Sequence, residues 1–507
     1  MTDSVRQTVQ TLASIACVVL LVLTLSAIAV VRADGRDPEL VAAGGDGSGI
    51  GAAGDFSPGV GDDATDAGSS AGGAPAGSTS QTGGEGGSSV ASSGGGSGSG
   101  GSGSSGSGGG GGGGRTATPS GGTSCPDYNP DEGVFCDRWL VGGTTILSGP
   151  LAIYGEAGLK GGQAWIQYFR ETLAPELGVR PGQLVFYDDN LEPNKTRQFV
   201  EKMVEVDKVL LIGGVTNPGA VGDYLTDKGV AFIGDLGLNP GSYTSPAIFP
   251  TNAPFSVSFE LRTITAKNNG AKSITVIQDV LPASDPKEFE QLWQDAAERQ
   301  GVELKRFQPI DSQANSCDSK MLTALQDNAD WIMLPVAAGP MLACMREAAT
   351  QQAKPGSPVA PNLINWSGGS NLQFEVDQCG AQCYGMYSAG TPFLDPRTNP
   401  HPNAKAYVEN MARYAPGIDI TGFIPINYYH AGLLQFEVMK QGGITGNLSR
   451  RNVWEAADGF GPFETGFGNT VHWESGRLPR VPTTCGYEVI LDAEKKAWVF
   501  QSERICL

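Results

Sequence analysis

The sequence predicts an α/β protein of two similar lobes with a cleft between them, carried behind an apolar segment and a long low-complexity tether. Three observations lead there. From about residue 139 onward, short apolar stretches alternate with segments of helical periodicity, the pattern of βα units and a parallel sheet. That pattern runs through once to about residue 235 and begins again near residue 255. Ahead of it, residues 44–122 are nearly all Gly, Ser, Ala, Thr and a few acids, and residues 12–31 are uncharged and apolar.

The apolar run LASIACVVLLVLTLSAIAVV follows a short N-terminal tail, 1–11, and is flanked by Arg6 and Arg32. At ~1.5 Å per residue it is long enough to cross a bilayer core. Two readings stand: an uncleaved transmembrane anchor, which its length favours, or a signal peptide cut after Ala33. Cys17 lies too deep in the run to be a lipidation site. The linker over 34–124 buries almost nothing and cannot offset its chain entropy, so it reads as a disordered tether with a reach of roughly 50 Å. The 507-residue chain carries 53 acidic against 34 basic residues, a net charge of −19. That balance argues against a nucleic-acid partner and against binding to anionic membrane surfaces.

The globular part opens with WLVGGTTILSGPLAIYGEAGLKGGQAWIQYFR over 139–170, read as strand, loop and helix. A loop that leaves a strand's carboxyl end and opens a helix is where ligands bind in such sheets. Strands are expected at 184–187, 208–212 and 230–233, with helices at 194–206 and 220–228. The second run reads as helix 255–268, strand 273–278, helix 285–300, strand 303–307, helix 321–328, strand 331–335, helix 340–352, and strands 362–365 and 385–389. The tail holds helices at 402–414 and 427–441, the latter stopped by Gly442 and Gly443, and β structure at 463–473 and 487–500.

Nine cysteines are present, and eight remain once Cys17 is set aside, an even number that suits an oxidising, extracytoplasmic compartment. Eight cysteines allow about a hundred pairings. Loop closure favours near neighbours, giving Cys125–Cys136, Cys317–Cys344, Cys379–Cys383 and Cys485–Cys506. No Cys-x-x-Cys occurs, so no metal site is expected. Gly213-Gly214 lacks the spacing of a dinucleotide fingerprint, there is no P-loop and no His-Glu-x-x-His, and no cofactor is expected. His401, His430 and His472 read as core or surface histidines, and the adjacent Asp188 and Asp189 as lying on alternate sides of an extended chain or in a solvated turn, so no enzyme is expected.

Taken together, LSGPLAIYGEAGLKGGQ, LLIGGVTNPGA, VAFIGDLGLNPG and TVIQD, with the ending NYYHAGLLQFEVMKQGG and a Phe-Glu-Thr-x-Phe-Gly segment, resemble the leucine/isoleucine/valine-binding protein family. The resemblance covers nearly all of 137–500 and rests on the order of several segments, none of them strict alone. It implies the type I periplasmic-binding fold: two Rossmann-like lobes joined by a hinge, closing on a small-molecule solute. On that pattern lobe 1 spans 125–256 plus about 391–465, and lobe 2 spans 257–390 plus about 466–507. The implied partners are the solute, an ABC permease, and the membrane through the N-terminal segment.

The resemblance also carries site positions. Tyr154 matches an aromatic that touches the solute, and Thr216 a hydroxyl that takes its carboxylate. Gly237 and Leu238 match the loop that completes the carboxylate site. Ala337 and Ser367 match positions for an aromatic and for an acid that pairs with an ammonium. Leu238 in place of a hydroxyl and Ser367 in place of an acid depart from that pattern, because a buried ammonium without a carboxylate partner is costly. Trp366 and Tyr154 offer instead to sandwich an apolar or amide solute. Ser148 and Asn217 lie in the same strand-following loops and complete the candidate set. For Ser148 and Thr216, helix capping is an equal alternative, and for Trp366 and Ser367 turn formation. Two function classes follow: a tethered solute-binding protein that delivers its ligand to an ABC importer, or a tethered ligand-sensing ectodomain or surface enzyme built on α/β lobes. With so short a stretch ahead of the apolar run, a sensor is expected to need a separate signalling partner.

Overall fold

A computed structural model describes residues 125–507 except 150, 236–239, 281–283, 313, 353–361, 366–372 and 392. The apolar run at 12–31 and the tether lie outside the described residues, and among those described no helix is long and apolar enough to cross a membrane.

The first sheet is built from β1 (Trp139–Thr145), then α1 (Ala152–Tyr168), β2 (Gly182–Asp188), α2 (Pro193–Glu205), β3 (Leu211–Gly214), α3 (Gly222–Lys228), β4 (Phe232–Asp235) and β5 (Ile248–Pro250). All pairings are parallel and the strand order is β2-β1-β3-β4-β5. β1, β3, β4 and β5 are buried nearly throughout, as strands covered by helices on both faces must be.

The chain then enters α4 (Phe255–Asn268), β6 (Ser273–Val280), α5 (Pro286–Gln300), β7 (Glu303–Asp311), α6 (Asp318–Gln326), β8 (Trp331–Leu334), α7 (Ala338–Gln352), β9 (Asn362–Asn365), α8 (Gln373–Cys379) and β10 (Tyr387–Thr391). It returns to the first sheet's side with α9 (Pro402–Tyr414), α10 (Phe423–Gln441), α11 (Arg450–Ala457) and a small pair, β11 (Phe463–Glu464) and β12 (Thr470–Val471). β13 (Cys485–Asp492) and β14 (Ala497–Cys506) close the second sheet, ordered β14-β13-β10-β9-β8-β6-β7. Its last two pairings, β10 with β13 and β13 with β14, are antiparallel.

Each sheet has its own apolar clusters. Trp139, Trp165, Phe169, Tyr429, Phe436, Phe467, Val471 and Trp473 share one. Phe259, Phe289, Trp293 and Trp331 share another under the second sheet, where Phe259 stacks on Trp293 at 4.4 Å between centroids. α1 and α10 pack through glycines: a Cβ on Gly161 would overlap the Pro425 carbonyl oxygen, and one on Gly432 the Trp165 ring. This close approach lets Phe169 meet Phe436 at 4.7 Å. Arg480 is buried with its guanidinium 4.2 Å from the Phe249 ring centre and donates to the carbonyls of Ser245, Pro246 and Ile248, tying the segment after Trp473 to the first sheet. The eight cysteines pair as Cys125–Cys136, Cys317–Cys344, Cys379–Cys383 and Cys485–Cys506.

Several expectations are corrected. α10 begins at Phe423, not residue 427; Pro425 sits in its first turn, where a missing N–H breaks no helical bond. The β structure expected over 463–473 shrinks to two short strands, because Gly466 and Gly468 hold positive φ of 84° and 107° between them. α11 was not expected; Ser449 caps it by accepting from the Asn452 N–H at 3.1 Å.

His430 on α10 is fully buried against Phe393 and Phe467, and among the described residues neither ring nitrogen has a hydrogen-bond partner. Burial pushes its pKa down to about 3. The folded state therefore resists protonation that the unfolded chain accepts below its ordinary value of 6.5, and stability falls as pH drops through that window. At about 1.4 kcal/mol per pH unit, roughly 2 kcal/mol is lost between pH 6.5 and 5. In urea titrations at these two pH values, His430→Phe is expected to remove most of that difference; an unchanged difference would place the acid sensitivity elsewhere.

Candidate functional site

In a doubly wound sheet, the loops that leave neighbouring strands on either side of an order reversal diverge to opposite faces and leave a crevice at the strands' carboxyl ends. The first sheet reverses between β1 and β3, and the second between β6 and β8. The described residues of the loops concerned are 146–149, 151 and 215–217 in the first, and 284–285 and 335–337 in the second.

At the first reversal a buried carboxylate gathers the strand ends. Asp189, just past β2, is fully buried and accepts hydrogen bonds on Oδ2 from the hydroxyls of Thr144 at 2.5 Å, Thr196 at 2.6 Å and Thr216 at 2.6 Å. Its Oδ1 accepts from the Leu191 N–H at 3.2 Å. Asn217 Nδ2 donates to the oxygens of Thr196 and Thr216 at 3.1 and 2.9 Å. Burial raises the Asp189 pKa, and the three hydroxyls work against that rise. Asp188 faces the other way, and its Oδ1 accepts from the N–H groups of Leu147 and Asn190, holding the loop after β1 to the loop after β2. Gly149 turns that loop with a φ of 76°, and α1 lies so close on it that a Cβ at Gly155 would overlap the Ile146 carbonyl.

Tyr428, on α10, completes this side. Its hydroxyl donates to Thr145 Oγ1 at 3.3 Å and its ring lies against Gly214 at the end of β3. Burial, with the charges of Asp189 and Asp235 added, pushes its pKa up to about 12. Asp235 ends β4 and is buried. Beyond β5, Thr251 and Asn252 donate to Asn427 Oδ1 at 3.1 and 2.6 Å.

At the second reversal Asp279, near the end of β6, accepts from the Ala337 N–H at 2.8 Å and from Gln278 Nε2 at 3.2 Å. Gln278 Nε2 also donates to the Pro335 carbonyl at 3.0 Å, so the loops after β6 and β8 are locked together. Burial pushes the Asp279 pKa up to about 6 against the pull of that N–H, of Gln278 and of the Arg262 charge. Ala337 is half-buried and packs against the apolar cluster of the first sheet, the one holding Trp139, Tyr154 and Tyr428. The second reversal thus touches the first sheet's side.

A model of the family described as periplasmic binding protein matches residues 139–487. The chain belongs to the periplasmic binding protein family. Solved structures share the fold of this periplasmic binding protein at low identity. A solute-binding protein of an ABC transporter from R. palustris, in complex with 4-hydroxybenzoate, is 17% identical with a TM-score of 0.61, covering 73% of this chain and 97% of its own. A leucine-binding protein from Thermotoga maritima is 16% identical with a TM-score of 0.59, covering 72% and 98%. A fatty acid ABC transporter substrate-binding protein from Thermomonospora curvata is 16% identical with a TM-score of 0.59, covering 74% and 94%. No curated protein matches the chain.

Within this periplasmic binding protein the expected site residues separate into groups. Ser148 is exposed in the loop after β1 and caps nothing, since Leu151 occupies the N-cap of α1 without a side-chain bond. Tyr154 is buried in the first turns of α1. Thr216 and Asn217 join the Asp189 network, and neither caps the short 3-10 turn Pro218–Ala220 with its side chain. Ala337 lies at the second reversal. Gly237, Leu238, Trp366 and Ser367 fall outside the described residues. Asp188 and Asp189 lie on opposite sides of the chain, as one of the two expected readings has it, and only the solvated turn is corrected, since Asp189 is the hub of a buried network. Its signal in the sequence is faint: three threonines at the ends of β1, β3 and the first turn of α2, visible as a group only once strand order is known. Among the described residues no group of His, Cys, Asp and Glu is arranged to hold a metal.

Thr196→Val removes a donor from Asp189 and an acceptor from Asn217 while both stay buried, and is expected to cost about 1–3 kcal/mol of unfolding free energy in urea. A loss below roughly 0.5 kcal/mol would mean that the network does not hold these strand ends together.

Proposed function

We propose that this protein is an extracytoplasmic solute-binding protein that captures a small molecule between two lobes and delivers it to an ABC permease, binding it without turnover. The observation that carries the reading is the pair of strand-order reversals, one per sheet, with Ala337 of the second packed on the cluster of the first. Lobe 1 is taken as 125–256 with 391 onward, its end moved from about 465 to about 473 because Phe467, Val471 and Trp473 bury into the first cluster. Lobe 2 is the remainder, 257–390 with the C-terminal strands. The residues proposed to face the solute are Ser148, Tyr154, Thr216, Asn217, Gly237, Leu238, Ala337, Trp366 and Ser367, with Tyr428 added. The four disulfides and the acidic charge suit an oxidising, aqueous setting, and the apolar run with its tether would hold the lobes near a membrane. Support also comes from the solved neighbours: a solute-binding protein in complex with 4-hydroxybenzoate, a leucine-binding protein and a fatty acid transporter's substrate-binding protein.

A ligand that binds only the folded state stabilises it by about 2.7 kcal/mol at a hundred times its Kd. In a thermal-shift screen of the full chain against amino acids, amides, short carboxylates and aromatics, at least one compound is expected to raise Tm, and Tyr154→Ala to abolish that rise. A rise that survives Tyr154→Ala unaltered would remove Tyr154 from the site.

A further inference from the structure

Away from the strands' carboxyl ends, the helices beside the first sheet enclose a cavity of about 240 Å³, roughly the room of eight waters at about 30 Å³ each. It lies between the end of α1 with its continuation, the π-helical turn Phe169–Leu173 and the short helix Ala174–Leu177, and the helices α9 and α10. Trp165 on its wall stands ~16 Å along α1 from Tyr154, so the cavity is apart from the loop after β1. Its walls are largely aromatic: Trp165, Tyr168, Tyr429 and Phe436. Tyr168 and Tyr429 meet Trp165 at 65° and 79°, with centroids 6.0 and 5.3 Å away, so the rings bound the space from different directions instead of stacking it shut. Trp165 and Tyr429 are buried and held in place, the indole against Gly432 and the tyrosine hydroxyl by a hydrogen bond from Asn410 Nδ2 at 2.9 Å.

The charge around these rings is mostly negative. Glu437 lines the cavity with a side chain only 12% exposed, and it pairs at 3.1 Å with Lys440, which lines the cavity too but is 56% exposed. Tyr168 lies within reach of the charges of Glu176 and Glu409, and Glu409 reaches Tyr429 as well. Against these carboxylates, Lys440 is the one cation among the lining residues. Its ammonium lies 5.9 Å from the Phe436 ring centre, at the outer limit of cation–π range, so the protein's own cation is held at the rim and only loosely. A solute carboxylate would meet Glu437, like charge against like. A primary ammonium needs acceptors for three N–H groups, whereas a methylated one needs ring faces and a negative field, and these are what the walls supply.

We propose that this cavity is a second binding site, for a small methylated ammonium free in solution, held by the rings of Trp165, Tyr168, Tyr429 and Phe436 and by the Glu437 carboxylate, with Lys440 as the protein's own competitor for that carboxylate. The inference goes beyond the solute-capture reading and stands or falls apart from it, since none of the residues proposed to face the solute in the cleft lines this cavity.

The test is calorimetry on the full chain with choline and tetramethylammonium, set against 3,3-dimethylbutan-1-ol, the uncharged isostere of choline, and against phosphatidylcholine vesicles. Choline is expected to bind, and the isostere at least about tenfold more weakly. Lys440→Gln is expected to tighten choline by about threefold or more, because it frees Glu437, and Glu437→Gln to weaken it by about fivefold or more. Tyr168→Leu, at a half-buried position, is expected to weaken it as well, and circular dichroism confirms the fold of each variant; should Glu437→Gln not fold, the exposed Lys440 and the half-buried Tyr168 carry the test. Equal binding of choline and its isostere would overturn the proposal, as would a choline affinity unchanged in folded Lys440→Gln and Tyr168→Leu. Choline binding that is lost in Tyr154→Ala but kept in Tyr168→Leu would overturn it too, by placing the cation in the cleft, and so would retention on vesicles without binding of free choline. If neither cation binds, the proposal falls and the capture reading is untouched.

Discussion

The order of strands is the constraint on which everything else depends. β1 lies between β2 and β3, and β6 between β7 and β8, so in each sheet the chain must leave one strand toward one face and its neighbour toward the other. The backbone groups of a parallel sheet are satisfied within it, and its faces are covered by helices, so the strand ends are where polar groups can gather. In this chain they do: Thr144, Asp189, Thr196, Thr216 and Asn217 at one reversal, Gln278, Asp279 and Ala337 at the other. The tight helix pair α1 and α10, glycine against backbone at Gly161 and glycine against indole at Gly432, sets Tyr428 over the first of these.

Charge gives the two reversals their character. Asp189 is held among hydroxyls, whose dipoles stabilise a buried carboxylate less than a cation would. Asp279 has Arg262 nearby, and burial still raises it. Two carboxylates, each disfavoured by burial and each placed where strand order opens a crevice, are the kind of feature that function maintains at a cost in stability. The fold is shared with proteins named for different molecules, and the fold by itself does not say which molecule a chain takes.

Much of the fold was legible from periodicity. The strand, loop and helix at 139–170 and helices such as Phe255–Asn268 and Pro402–Tyr414 were readable because apolar spacing and turn residues agree there. The near-neighbour disulfide pairing followed from loop closure, which penalises long loops whatever the fold. The start of α10 was read four residues late, and Pro425 lies in its first turn. The site was harder. Thr216 and Asn217 could be picked from their loop, but Asp189 read only as one of two acids on an extended chain or in a turn, because two of its three hydroxyl partners are 45 and 27 residues away in sequence. Tyr428 and Asp279 were hidden for the same reason: a long-range contact leaves no local pattern in the sequence.

If the loops at the two reversals enclose one ligand together, hydrogen exchange of the full chain, measured with and without a compound that raises its Tm, slows at 146–149, at 215–217 and at 335–337 in the same complex. Slowing confined to one sheet's loops, or found only among the outer helices while these loops stay unchanged, would rule out a shared enclosure.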